Sequence, residues 1–181
     1  MKIVTAKQMR FLEERSSYQG VSLETLMENA GRAVAHSLSN HLGGMEGRSL
    51  IVLTGKGNNG ADGLVAARYA NSWGASVELL MVGNQSISNT VIGTLRDQGI
   101  TINQVNSEDD LRHLEASLNE ADAVADALIG IGISRPLEGI FSDVVARVVA
   151  VKQKHPNLLV LALDVPTGLD ADNGLVGSLC V

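Results

Sequence analysis

The sequence predicts a three-layer αβα sandwich around a mostly parallel β-sheet, with two helices ahead of the first strand. Short β-branched runs alternate with amphipathic segments along most of the chain. The runs are apolar on both faces, as strands of a parallel sheet covered by helices must be. Strand, helix, strand at this spacing implies right-handed crossovers. Hydrophobic residues make up 45% of the 181 but aromatic ones only 3%, so the core is built from Val, Leu, Ile and Ala.

The elements follow in order. A first helix runs from about Thr5 to Arg15. The second opens at Ser22, an N-cap residue, and ends at the Gly43–Gly44 pair; Leu23, Met27, Ala30, Val34 and Leu38 fall on one face. SLIVLTG (49–55) is the first strand and 61–72 its following helix. SVELLMVG (76–83) is the second strand, a helix from about Ser88 closes at Gly99, and 100–105 is the third strand. Ser107 and Asp110 form a capping box at the head of SEDDLRHLEASLNE. ADAVADALIG (121–130) is the fourth strand, 139–154 the next helix and NLLVLALD (157–164) a fifth, buried strand. No repeat, linker or low-complexity tract divides the chain, so 1–181 reads as a single domain. GLVGSLCV supplies neither helix nor cap at the end, so the domain is expected to be truncated there, short of one or more C-terminal strands.

Composition excludes several classes. The formal net charge is −6 with scattered basic residues, which disfavours nucleic acid and anionic membranes as partners. A lone Cys180 excludes an internal disulfide framework and fits a reducing compartment. The N-terminus lacks the apolar stretch of a signal peptide, and the longest strongly apolar run, 158–163, is far too short to span a bilayer. A soluble cytoplasmic protein is expected.

In open parallel sheets ligands bind beyond the carboxyl ends of the strands, so the loops there carry the chemistry. Three are unusual. TGKGNNGADG (54–63) contains G-x-G-x-x-G between a strand and a helix; its amides can approach a phosphate, and Lys56 adds charge. It is no P-loop, and the acid that should bind a ribose is out of place, Glu78 being mid-strand. Asn58, Asn59 and Asp62 stand where a hydride-transfer enzyme would have small apolar residues. One such residue would be a helix cap or turn former; three within five favour a polar ligand or a cation.

ADALIGIGISRPLEG (125–139) places Asp126 inside an apolar strand, where an unpaired carboxylate costs several kcal/mol. It needs backbone amides, a base or a cation. Gly130 and Gly132 offer open amides, and Arg135 is in equal measure a phosphate ligand or a solvated loop residue. LALDVPTGLDADNG (161–174) ends a strand with Asp164, at the edge where catalytic carboxylates belong; Asp170 and Asp172 read as turn formers. No Ser-His-Asp or paired-histidine pattern appears, and His36, His41, His113 and His155 read as surface or capping residues. Oxygens of Asn59, Asp126 and Thr167, with one negative charge among them, suit a monovalent cation better than Mg²⁺ or Ca²⁺.

Taken together, LMENAGRAVA (26–35), GNNGADGLVAARYA (57–70), DALIGIGISRPLEG (126–139) and LDVPTGLDADNG (163–174) closely resemble the NAD(P)H-hydrate epimerase family over nearly the whole chain. The resemblance implies a Rossmann-like, usually dimeric domain that interconverts the R and S forms of hydrated NADH and NADPH. The domain is often fused ahead of an NAD(P)H-hydrate dehydratase. It also implies substrate binding by Asn58, Asn59, Gly60, Ala61, Asp62, Gly130, Ile131, Gly132, Ile133, Ser134, Arg135, Pro136 and Asp164. The family's potassium (K⁺) site falls on Asn59, Asp126 and Thr167. Lys56, Ala61, Ile131 and Thr167 depart from the family's usual Pro, Gly, Thr and Ser. The reaction at C6 of the hydrated nicotinamide needs a proton moved at oxygen; Asp164 is the first candidate and Asp126 the second.

The alternative from another class is a non-catalytic nucleotide- or RNA-binding or dimerisation module of the same fold. Asp126, Asp164 and the NNGAD run argue against it, because a binder needs fewer buried charges. A dehydrogenase is weaker still, for want of the ribose-binding acid.

Overall fold

The computed structural model describes residues 3–85, 87–132, 136–177 and 179–181. Two helices, α1 (Ala6–Tyr18) and α2 (Leu23–Leu42), precede β1 (Ser49–Thr54), α3 (Asn58–Ser72), β2 (Ser76–Val82) and α4 (Asn89–Asp97). Then come β3 (Thr101–Val105), α5 (Glu108–Glu120), β4 (Ala123–Ala127), α6 (Gly139–Lys154) and β5 (Leu159–Ala162). All four pairings are parallel and the sheet order is β3-β2-β1-β4-β5. The chain winds outward from β1 to β3, then crosses back to β4. The order therefore reverses between β1 and β4, whose carboxyl ends splay their loops apart.

Period-two side-chain alternation divides the core into two layers. Leu50, Val52, Leu79 and Ala125 join Leu38 of α2, Ala67 and Ala70 of α3 and Leu95 of α4 on one face. Ile51, Leu53, Leu80 and Val124 pack against Leu111, Leu114 and Leu118 of α5 and Val144, Val145 and Val148 of α6 on the other. The helix starts are chemically set. Ser22 accepts from the Thr25 amide at 3.1 Å, and Ser107 with Asp110 completes the capping box. Gly43, at φ 71°, closes α2 in the left-handed conformation.

The LMENAGRAVA segment turns out to clamp α2 onto α3. Arg68 Nη2 and Tyr69 Oη donate to Glu28 at 2.6 and 2.5 Å, and Gly31 leaves room for Val65.

Three boundaries differ from the sequence expectation. α3 begins at Asn58, not Ala61, because Gly57 at φ 115° takes the bend by itself, which puts Asn58 and Asn59 in the first helical turn. α1 runs on to Tyr18. β5 is shorter than expected and only half-buried, since among the described residues it pairs on one side alone, with β4. Asp164 therefore lies two residues beyond the strand and is exposed.

Candidate functional site

A cleft of about 1270 Å³ opens over the carboxyl ends of β1 and β4. That is wide enough for an extended ligand rather than a compact one. Its floor and walls come from Lys56 to Asn59, Asp62, Leu128 to Gly132, Leu163 and Asp164. The loops are pressed together by backbone. Gly55 donates to Ala127 O at 3.1 Å, and Gly60 lies so close to Gly55 O that any side chain at 60 would collide with it.

Asp164 adopts φ 64°, the left-handed region that a non-glycine residue rarely occupies. The strain points its carboxylate across the cleft, where Oδ2 accepts from the Ile131 amide at 2.6 Å. Gly130 lies against the same oxygen, where a methyl group would not fit. The second loop and Asp164, two residues beyond β5, thus form one unit.

Asp126 is fully buried and does not line the cleft. The partner its burial demands is Thr167. The Thr167 amide donates to Asp126 Oδ2 at 2.8 Å and its hydroxyl to Oδ1 at 2.7 Å; the Leu128 amide adds a bond at 3.2 Å. Burial pushes this carboxyl above its ordinary value, while the bonds from Thr167 and Leu128 pull it down. Thr167 Oγ1 also accepts from the Ile129 amide at 3.0 Å. Asp126 therefore holds the floor of the site from behind, away from the cleft surface.

Asn59 and Asp62 behave differently. Both amide atoms of Asn59 and one carboxyl oxygen of Asp62, Oδ1, are buried without a hydrogen-bond partner among the described residues. An unmet buried polar group costs about 1–3 kcal/mol. Burial first, then the charges of Glu13 and Asp164, raises Asp62 to about 6. Asn59 has an unused carbonyl oxygen, whereas the oxygens of Asp126 on β4 and Thr167 beyond β5 are bonded to one another. No group of three His, Cys, Asp or Glu side chains is placed to hold a metal ion among the described residues.

Asn58, Asn59, Asp62, Gly130, Ile131, Gly132 and Asp164 line the cleft together, as the sequence placed them. Gly60, Ala61, Pro136 and Thr167 do not line it, and Ile133, Ser134 and Arg135 lie outside the described residues. The rim holds what the sequence reading missed. Arg10, Phe11, Glu13, Glu14, Arg15 and Tyr18 of α1 line one side. Arg10 Nη2 donates to Ile131 O at 3.0 Å, and Asp172 Oδ1, read as a turn former, accepts from Ala6 N at 2.7 Å. Only the apolar Phe11 and Leu12 beside these arginines hinted at such a role. Glu78 is engaged elsewhere: His113 Nε2 lies 2.7 Å and Asn103 Nδ2 2.8 Å from its Oε1. That leaves no ribose acid on β2, and it gives His113 a partner beyond the surface role expected. Burial and the charge of Asp126 raise the Cys180 thiol, which suits an unreactive cysteine.

Comparison with known proteins adds independent information. The model of the family described as YjeF-related protein N-terminus matches residues 23–181. The bifunctional NAD(P)H-hydrate repair enzyme Nnr of Thermofilum pendens is 36% identical across all of this chain, which spans 34% of that enzyme's length. The NAD(P)H-hydrate epimerase of Limosilactobacillus fermentum is 34% identical over 98% of this chain and 80% of its own. A yeast crystal structure, ynu0, superposes with a TM-score of 0.81 at 25% identity, covering 100% of this chain and 77% of that one.

Proposed function

The chain belongs to the YjeF-related protein N-terminus family, and on that premise we propose that it epimerises the R and S forms of hydrated NADH and NADPH at C6 of the nicotinamide ring. The observation that carries the reading is the cleft itself. It sits at the point where strand order reverses, and it contains Asn59 and Asp62 atoms whose polar demand the protein leaves unmet. A bound polar ligand would meet that demand, and Asp164 on the same walls gives it a carboxyl to react with.

The C6 centre is a hemiaminal, and its configuration is scrambled by ring opening or by loss and return of hydroxide. Either route moves a proton at oxygen, which a positioned carboxyl accelerates by about 10²–10⁴-fold. Asp164 faces the cleft with its Oδ2 fixed by the Ile131 amide, and takes that role. The N-terminus of α3, opening on Gly57 and Asn58 beside Lys56, favours the pyrophosphate of the cofactor. Asn59, Asp126 and Thr167 would hold one K⁺, which supplies positive charge under an anionic substrate. Asp126 acts as a positioning residue through Thr167 and Ile129.

The chain spans about a third of the bifunctional relatives, so a dehydratase domain belongs to the proposal, as do a homodimer and a cytoplasmic location. No helix among the described residues is long and apolar enough to cross a membrane. The test is chiral separation of the hydrate epimers with and without protein. Interconversion faster than the spontaneous rate is expected; an unchanged rate refutes the reading.

A further inference from the structure

We propose that Asp62 is a second catalytic carboxyl of this cleft, a proton donor that works against Asp164 as acceptor. The inference rests on the epimerase reading and gives Asp62 a chemical role beyond binding. Three features set it apart from the other carboxyls of the site. It lines the cleft, whereas Asp126 does not. Oδ1 is buried without a partner, whereas Asp164 is held by the Ile131 amide. Its carboxyl faces other acids, Glu13 of α1 and Asp164 beyond β5, whose charges oppose its ionisation.

The arginine and lysine side chains on the same walls do little to offset this. Arg10 is bound to Ile131 O, Arg15 lies over the Phe11 ring, and Lys56 is exposed. Glu14 adds a further acid to the rim. Burial and like charge therefore favour the protonated form of Asp62 up to about pH 6, and the Ile131 amide fixes Oδ2 of Asp164 in the same cleft. A carboxyl that favours its protonated form, set in one cleft with a second carboxyl positioned as acceptor, makes an acid/base pair.

For ring opening the chemistry balances without any co-reactant. The Asp164 carboxylate takes the proton of the C6 hydroxyl, and the C6–O bond becomes a carbonyl. The C6–N1 bond breaks with its electron pair moving to N1, which takes the Asp62 proton. Rotation about C5–C6 presents the other face of the aldehyde. Reclosure reverses both transfers, so each carboxyl ends as it began.

The experiment compares the wild type with Asp62→Asn and Asp62→Glu, using purified hydrate epimers. Asp62→Asn keeps the shape but cannot titrate; its kcat should fall by about 10²–10⁴-fold with KM changed less than threefold. Asp62→Glu should recover part of the loss. The wild-type kcat should decline as pH rises past about 6, and the residual activity of Asp62→Asn should lack that limb. Asp62→Asn should melt no lower than the wild type, because it removes the charge of a carboxyl whose buried Oδ1 has no partner among the described residues. An active wild type with an equally active Asp62→Asn overturns this proposal alone, as does a loss confined to KM. A wild type that does not accelerate epimerisation overturns the epimerase reading as well.

Discussion

Replacing Thr167 by Val removes one hydroxyl and little volume, from a residue that is fully buried. The hydroxyl donates to Asp126 Oδ1 at 2.7 Å and accepts from the Ile129 amide at 3.0 Å. A hydrogen bond to a charged group contributes about 1.5–3 kcal/mol, and an amide left without a partner costs about 1–3 more. The remaining bonds from the Thr167 and Leu128 amides keep Asp126 partly satisfied, which holds the total near the lower end, about 3 kcal/mol. For a chain of this length that corresponds to a melting point lower by roughly 6–12 °C. Thr167→Ser keeps both bonds and drops one methyl, so it should cost about 1 kcal/mol. Urea unfolding of the three proteins at pH 7 measures the difference. A Val variant within 1 kcal/mol of the wild type, or a Ser variant as damaged as Val, would show that the hydroxyl bridge does not hold the second and third loops together.

Two other outcomes follow from the same geometry. The carboxyl of Asp62 binds its proton more tightly in the folded state than in the unfolded one, so its contribution favours folding at low pH and is lost as pH rises from about 4 through about 6. The group is half-exposed, so solvent screening reduces that contribution to roughly 1–2 kcal/mol. Asp110, Glu28 and Glu78 shift the opposite way, and the difference between wild-type and Asp62→Asn melting curves isolates the effect; parallel curves between pH 4 and 7 would contradict it. For the cation, hydrate affinity in the wild type should rise when K⁺ replaces tetramethylammonium, and in Asp126→Ala it should be weaker and insensitive to K⁺. Indifference of the wild type to K⁺ would remove the site.

The architecture was legible because period and caps agree. Apolar runs such as SLIVLT and AVADA announce two-sided burial, and Ser22, Ser107 and Gly43 mark helix ends by their own chemistry. The start of α3 was not, because the bend rests on Gly57 alone and Asn58 and Asn59 look like loop residues in any one-dimensional pattern. Asp126 was recognised as a buried charge in need of a partner. Which partner depends on Thr167 lying 41 residues away, a distance no local pattern encodes. The unusual backbone of Asp164 is equally invisible in sequence, since nothing in LDVPTG requires φ 64°.

The α1 wall of the cleft is the extreme case. Phe11 and Leu12 are 55% and 51% exposed, so burial contributes little to fixing this helix. Two polar ties take up that work, Ala6 N to Asp172 Oδ1 and Arg10 Nη2 to Ile131 O, each contributing about 0.5–1.5 kcal/mol at the surface. Both ties end on the loops that carry the site, one on the third and one on the second. The position of Glu13 beside Asp62 thus depends on loops set by Asp126, Thr167 and Asp164, and Glu13 and Asp164 together shape the electrostatics of the cleft. A helix held by its own apolar stripe would have announced itself in the sequence. This one is placed by the site it helps to enclose.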